Sequence, residues 1–387
     1  MPDQWATLVV IIDSLRQGGA ERSTALFLSD AVQKWRRVVL ISFGQESDPF
    51  LKQVRDAGVE VHFLRFGFFV LDVLNLRRKL NETKPSAIYT VLYKSALRAR
   101  FASLCGPSPL IEALVGFRHL PLQGETFIRR IKRRVHRLFD RTTASWCVDK
   151  FHANSESIRK HYIKEFSLTA DKIEVVPRGR SEPPRLDSAS RAQVRREIFG
   201  IDESAQLLLL VGRTDEVKNF ILVAKAAPDI QRKIPCQVVF AIVGRSGAQQ
   251  RAIDLELNSN GASSAFRKLG FRADVTDLMQ CADALIIPSV SEGLPGVAIE
   301  ALACRLPVIH SDISACQEVL GGLPSAFQFS SGRTESLTQA ALDWFTTKSS
   351  GQSDTDLGFA RFMQRYGLSE ANHGLNLLIG SCVRGND

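Results

Sequence analysis

The stretch SVSEGLPGVAIEALACRLPVIHSD, Ser289–Asp312, places two carboxylates eight positions apart, with Glu292 in a turn and Glu300 in an apolar helical run. The turn residues Gly293, Leu294, Pro295 and Gly296 lead into the helix, and proline is favoured in a first turn because its missing N–H costs nothing there. Amides around Leu294–Val297 then aim at whatever stands in front of the helix, which makes an anion site. Glu300 falls about one turn inside, on the side of Gly296 and Val297, where it could accept hydrogen bonds from a sugar diol. Glu292 would face the far side of the same anion. The competing reading is that both glutamates only complement the positive end of the helix dipole.

Further groups sit where strand-like runs end. In VGRTDEVKN, Arg213 and Lys218 share one loop and could clamp a diphosphate, the first as a planar fork and the second as a point charge. Asp215 and Glu216 lie between them, so a solvated mixed-charge loop remains open. Gly244 and Gly247 in VGRSG would leave room for a flat base, with Phe271 and Arg272 following in LGFRADV and Asp274 expected as a helix cap. Gly18 and Gly19 lie between the first strand and the first helix, where a bare backbone approaches a phosphate or sugar closely, or makes an ordinary tight turn. LIEALVGFRHL is a strand-like run ending in Arg118 and His119.

These loops need a scaffold, and the chain predicts one. Short β-branched runs such as TLVVIID and RVVLISF alternate with helical patterns, which indicates a parallel sheet covered on both faces. The proline-rich PRGRSEPPRLDSAS, Pro177–Ser190, reads as a linker, after which the alternation restarts with LLLLVGR. Two α/β domains are expected, over 1–180 and 181–357, with a helical tail over 358–387. A chain of 387 residues is long for one hydrophobic core, in agreement.

Charge is uneven. Residues 1–190 hold 31 Lys and Arg against 20 Asp and Glu, and the remainder 19 against 21. The excess peaks in FIRRIKRRVHRLFDR, where Phe127, Ile131, Val135 and Leu138 recur at helical spacing among arginines. Either this helix packs its apolar side on its own domain, or it meets an anionic membrane surface or anionic acceptor. Nucleic acid is not expected, since basic residues do not interleave with aromatic ones. No spanning helix is expected, and the N-terminus reads as a first strand, not a signal peptide. The seven cysteines, far apart and without CxxC, suggest a reducing, cytoplasmic setting and no zinc site.

Taken in order, GGAER, VGR with KN, LGFRADV and the Glu-x7-Glu stretch resemble the family 4 retaining glycosyltransferases of GT-B fold, over nearly the whole chain. The resemblance implies two Rossmann-like, doubly wound parallel-sheet domains facing across a cleft, the first for the acceptor and the second for a nucleotide-diphospho-sugar. It implies a hexosyltransferase that retains anomeric configuration and needs no bound metal or cofactor. The acceptor would be a saccharide or lipid-linked, in surface polysaccharide or glycolipid assembly, with the chain peripheral on the inner membrane face.

By match to the family motifs, Arg213 and Lys218 hold the diphosphate, Glu300 the ribose, and Glu292 contacts the donor sugar. Phe271 and Arg272 flank the base, Gly18 and Gly19 lie near the reacting centre, and His119 stands beside the sugar. The family's usual PNG is PRG here, and Ser314–Ala315 replaces a glycine pair. Two other classes remain: a sugar-nucleotide epimerase, which turns over without acceptor, and a silent sugar-nucleotide-binding protein.

Overall fold

A computed structural model describes residues 5–16, 18–104, 106–119, 126–352 and 354–383. Cys105, one of the seven cysteines, and residues 1–4 of the N-terminal stretch lie outside them. The chain divides into two units, Met1–Gly179 with Leu368–Asp387, and Arg180–Gly367.

In the first unit the strands are β1 (Trp5–Ile12), β2 (Trp35–Ser42), β3 (Glu60–Phe63), β4 (Ala87–Val91), β5 (Leu110–Leu114), β6 (Lys150–Ala153) and β7 (Ile173–Val175). They form one sheet in the order β3-β2-β1-β4-β5-β6-β7, every pair parallel. Its helices are α1 (Gly19–Ala31), α2 (Leu51–Asp56), α3 (Phe69–Thr83), α4 (Tyr93–Ala102), α5 (Phe127–Cys147) and α6 (Glu156–Phe166). The β1 residues Leu8 to Ile12 are wholly buried, as an unbroken apolar run between two helical layers must be. Ser155 starts α6 by accepting from the Ile158 amide at 3.1 Å.

The second unit repeats the scheme with β8 (Gln206–Val211), β9 (Val238–Val243), β10 (Phe266–Gly270), β11 (Ala284–Ile287), β12 (Val308–Ser311) and β13 (Ala326–Phe329). Their order is β10-β9-β8-β11-β12-β13, again all parallel. Around them lie α7 (Ser188–Val194), α8 (Phe220–Lys233), α9 (Gln250–Ser259), α10 (Val275–Cys281), α11 (Gly296–Ala303), α12 (Ser314–Leu320), α13 (Thr334–Ser349) and α14 (Asp356–Arg361). In both sheets the strand order reverses beside the first strand, β1 or β8, and the loops at the carboxyl ends there are where such sheets hold ligands.

The last helix, α15 (Leu368–Ser381), belongs to the first unit. Asn376 accepts from the Trp35 indole at 2.9 Å and donates to Asp30 at 3.0 Å. Residues 358–367 stay with the second unit, so the tail changes unit ten residues later than its composition suggests. Arg180, inside the stretch read as a linker, is already fixed there through its amide on the Tyr366 carbonyl.

Helix α5 is turned the opposite way from its packed reading. Phe127, Ile128, Val135, Leu138 and Trp146 are exposed, by 59–85%, while its buried residues are Asp140 and Ala144. At 100° per residue the apolar stripe lies opposite Asp140 and Ala144, with Lys132 on one flank and Arg134 and Arg141 on the other. On α3, Val70, Leu71 and Leu74 are exposed as well. The Phe69, Phe101 and Phe139 rings link α3, α4 and α5.

In the core of this unit, Tyr89 Oη donates to His152 Nδ1 at 2.7 Å, and Nε2–H donates to the Val176 carbonyl at 2.7 Å. Burial pushes this imidazole down to about 4, since both nitrogens serve the neutral ring; the nearby Arg178 adds to the shift. The unfolded chain therefore takes up the proton first as pH falls. Stability from this group is complete above about pH 6.5 and drains away toward the folded value, by about 2 kcal/mol at pH 5. Urea unfolding at pH 7.5 and pH 5 is expected to show this step, and His152→Gln to lack it. An equal step in the variant would assign the loss to other groups.

Candidate functional site

In the second unit, the loops after β8 and β11 meet. The Val290 amide donates to the Val217 carbonyl at 2.9 Å, tying them together. Lys218 Nζ then reaches Glu292 Oε1 at 2.5 Å, and Ser289 Oγ donates to the same oxygen at 2.8 Å. Residues 74 positions apart thus share one locus ahead of α11. Arg213, largely exposed, donates to Asp215 at 2.9 Å. Both basic groups have a carboxylate partner.

Helix α11 begins at Gly296 with Pro295 before it, as the sequence predicts. Its first amides lack partners within the helix, which leaves a positive end at this locus. Leu294 is buried as a core residue. Glu300 stands in a buried pair with Arg180, whose Nε donates to Oε1 at 2.7 Å. Nothing in the composition of the 177–190 stretch marks Arg180 as this partner, although it is the second arginine of PRGR.

The glycines after β8 and β9 serve the backbone itself. Gly244 has φ +150°, and a Cβ there would stand 2.0 Å from the Gly212 carbonyl oxygen; one on Gly247 would meet the Thr214 carbonyl at 2.6 Å. The bare backbones press two loops together on the side where each Cβ would stand. Phe271 is exposed, with the Arg245 guanidinium 5.7 Å from its ring centre. Asp274 precedes α10 but makes no capping bond; its carboxylate accepts two bonds from Arg272, at 2.9 and 2.6 Å. Arg272 is thereby held beside Phe271.

In the first unit, Gly18 and Gly19 again admit neighbours. A Cβ at Gly18 would lie 2.2 Å from the Glu21 carboxylate, and one at Gly19 2.7 Å from Arg178 Nη1. Burial raises the Glu21 carboxyl above the ordinary range, and the nearby Asp13 adds to it. Glu21 and Arg178 are residues that the sequence reading missed, though GGAER and PRG both contain the signal.

His119 follows β5 in a left-handed conformation, φ +56°, which few non-glycine residues adopt. Its Nε2 lies 3.1 Å from Asp140 Oδ2, and its ring meets Tyr93 edge-on at 5.6 Å. Asp140, wholly buried, also accepts from Arg100 at 2.7 Å, and Arg100 and Arg118 both donate to buried Glu112 at 2.8 Å. Burial opposes the Asp140 charge, but the His119 contact and the two guanidinia outweigh it and hold the carboxyl at about 2. Among the described residues no group of three His, Cys, Asp or Glu could hold a metal ion.

Two parallel-sheet α/β units, with basic side chains and a helix start at the strand ends of the second, define the GT-B class of fold. A solved Anabaena protein, HepE in complex with UDP-glucose, superposes with a TM-score of 0.83 over 97% of this chain and 99% of its own, at 18% identity. WaaG, a glycosyltransferase involved in lipopolysaccharide biosynthesis, gives 0.75 over 96% and 100%, at 15% identity. The model described as Glycosyltransferase Family 4 matches residues 17–181, and that described as Glycosyl transferases group 1 matches residues 205–346. Matched across most of both units, the chain belongs to the family 4 glycosyltransferases.

Two relatives carry more specific names. An Escherichia coli UDP-Gal:alpha-D-GlcNAc-diphosphoundecaprenol alpha-1,3-galactosyltransferase is 24% identical over 62% of this chain and 62% of its own length. A Campylobacter jejuni N,N'-diacetylbacillosaminyl-diphospho-undecaprenol alpha-1,3-N-acetylgalactosaminyltransferase is 23% identical over 70% and 73%. The chain thus spans less than two thirds of the first relative's length.

Proposed function

We propose that the chain transfers a hexosyl group, with retention of configuration, from a nucleotide-diphospho-sugar to a saccharide borne on a lipid diphosphate, in surface polysaccharide or glycolipid assembly. The observation that carries the reading is the meeting of Lys218, Glu292 and the start of α11 at the strand ends of the second unit, with Arg213 in the same loop as Lys218. As the glycosidic bond breaks, charge grows on the leaving diphosphate. Fixed cations and helix amides stabilise that charge more in the transition state than in the ground state, the task a divalent metal performs elsewhere. In this reading Glu292 contacts the donor sugar, Glu300 shares the ribose with Arg180, and Phe271 and Arg272 flank the base. The lipid diphosphate is named because two relatives act on undecaprenol diphosphate saccharides.

The outward apolar stripe of α5 supports a membrane surface as the place of reaction. A helix with exposed apolar residues between basic flanks lies in the headgroup layer of an anionic bilayer. No helix of the described residues is long and apolar enough to cross a membrane.

The test is a panel of nucleotide sugars read by melting temperature, then by release of nucleoside diphosphate with and without a lipid-diphosphate saccharide. A ligand that binds the native state raises the melting temperature. One nucleotide sugar is expected to stabilise, and release is expected to require the acceptor. Conversion of the donor to an epimeric nucleotide sugar without acceptor would favour the epimerase, and binding without any turnover the silent binding protein.

A further inference from the structure

A second helix of the first unit also turns apolar side chains away from the core. Helices α3, α4 and α5 share one face of the sheet, where Leu76, Ala99 and Ala144 join the same core cluster, and the Phe69, Phe101 and Phe139 rings tie them together. On the outer side of α3, Val70, Leu71 and Leu74 are exposed by 55–67%, and Phe68, just before the helix, by 82%. At 100° per residue the three helical positions lie opposite Asp72, Leu76 and Thr83, which α3 buries. The turn ahead of α3 is fixed from within. The buried Asp72 carboxylate accepts from the Gly67 amide at 3.0 Å and pairs with Arg98 at 2.8 Å. Phe66 stacks on Phe43 at 4.4 Å, with the Arg98 guanidinium 4.5 Å from its ring centre. Phe66 is thereby anchored, and Phe68, two positions on, is held outside.

We propose that α3 is a second lipid-inserting element: Phe68, Val70, Leu71 and Leu74 enter the headgroup layer of an anionic bilayer beside the stripe of α5, and the two outer faces together form the docking surface. The inference deepens the membrane reading given above and rests on it. Charge selects the occupant. Beside the apolar residues stand Arg77 on α3 and Lys132, Arg134 and Arg141 on α5, all exposed. Anionic headgroups neutralise these cations while the apolar side chains reach the acyl boundary. A second copy packed through the same face would bring the same cations against it, and like charges oppose that pairing. Both helices follow a strand and lead to the next parallel one, so both begin at the carboxyl edge of the sheet. The apolar residues of α3 all lie within its first two turns. The surface therefore brings to the bilayer the sheet edge at which such folds take ligands.

Sedimentation of the full chain with sucrose-loaded vesicles of phosphatidylglycerol and phosphatidylcholine, at low salt, reads the partition. Phe68→Ser, Leu71→Ser and Leu74→Ser together are expected to weaken it by about 30-fold or more. Tm and circular dichroism are expected to match the parent, because all three residues are exposed. Phe68→Trp is expected to add an emission that lipids brominated near the top of the acyl chain quench. Parent-like partition of the α3 triple, with loss only when Ile131, Val135 and Leu138 are replaced, overturns the second element and leaves the α5 reading intact. A Phe68→Trp emission that brominated vesicles do not quench overturns it as well. A parent that binds no anionic vesicle removes both readings. A parent that scatters light as a dimer, and as a monomer with the α3 triple, gives the face to a second copy and overturns the proposal.

Discussion

Lys218→Ala is expected to lower kcat/KM by about 10²–10³-fold and to abolish stabilisation by every nucleotide sugar that stabilises the parent. The Lys218 side chain is the one whose ammonium touches Glu292 and so stands where the loops after β8 and β11 meet. Removing it deletes a charge that strengthens as the diphosphate leaves. It also frees Glu292, whose negative charge then faces the incoming phosphates, so attraction turns to repulsion. The fold is expected to persist, since the loops remain joined through Val290 and Val217. Circular dichroism and melting without ligand verify that, and isothermal titration reads the binding. A variant that binds as its parent does would remove the diphosphate from this locus.

Replacing Ile131, Val135 and Leu138 together by serine is expected to weaken binding to anionic vesicles by about 100-fold or more. Each loses about 1 kcal/mol of apolar transfer when the helix enters the headgroup layer. All three are exposed, so the unbound protein should keep its Tm. Turnover on a short water-soluble acceptor should be unchanged, while turnover on a lipid acceptor in vesicles falls. High salt should release the parent as well, because Arg134 and Arg141 act through a screened field. Vesicle binding that survives the triple substitution would place the contact elsewhere.

The sheets were legible because a strand covered on both faces needs an unbroken apolar run, and LVVII, LLLL and VVFAIV say so in sequence. The start of α11 was legible for a similar reason, since Gly, Pro and a following apolar run leave few other local structures. Three features were not. Periodicity gives α5 an apolar face but not its direction, and the side it turns inward is polar, anchored through Asp140 to Arg100 and His119. Arg180 lies 120 positions from Glu300, so only the folded chain joins them. Gly244 shows that a missing Cβ is silent about what fills its place, which in the folded chain is the Gly212 carbonyl.

The return of α15 to the first unit has a consequence for biosynthesis. Trp35 and Asp30 find their partner Asn376 more than 340 positions later, so the amino-terminal sheet cannot complete its packing until the whole of the second unit has been made. The middle of the chain, Arg180–Gly367, emerges whole and is free to settle first. Removing Leu368–Ser381 should therefore loosen the unit whose sheet is made earliest and spare Arg180–Gly367.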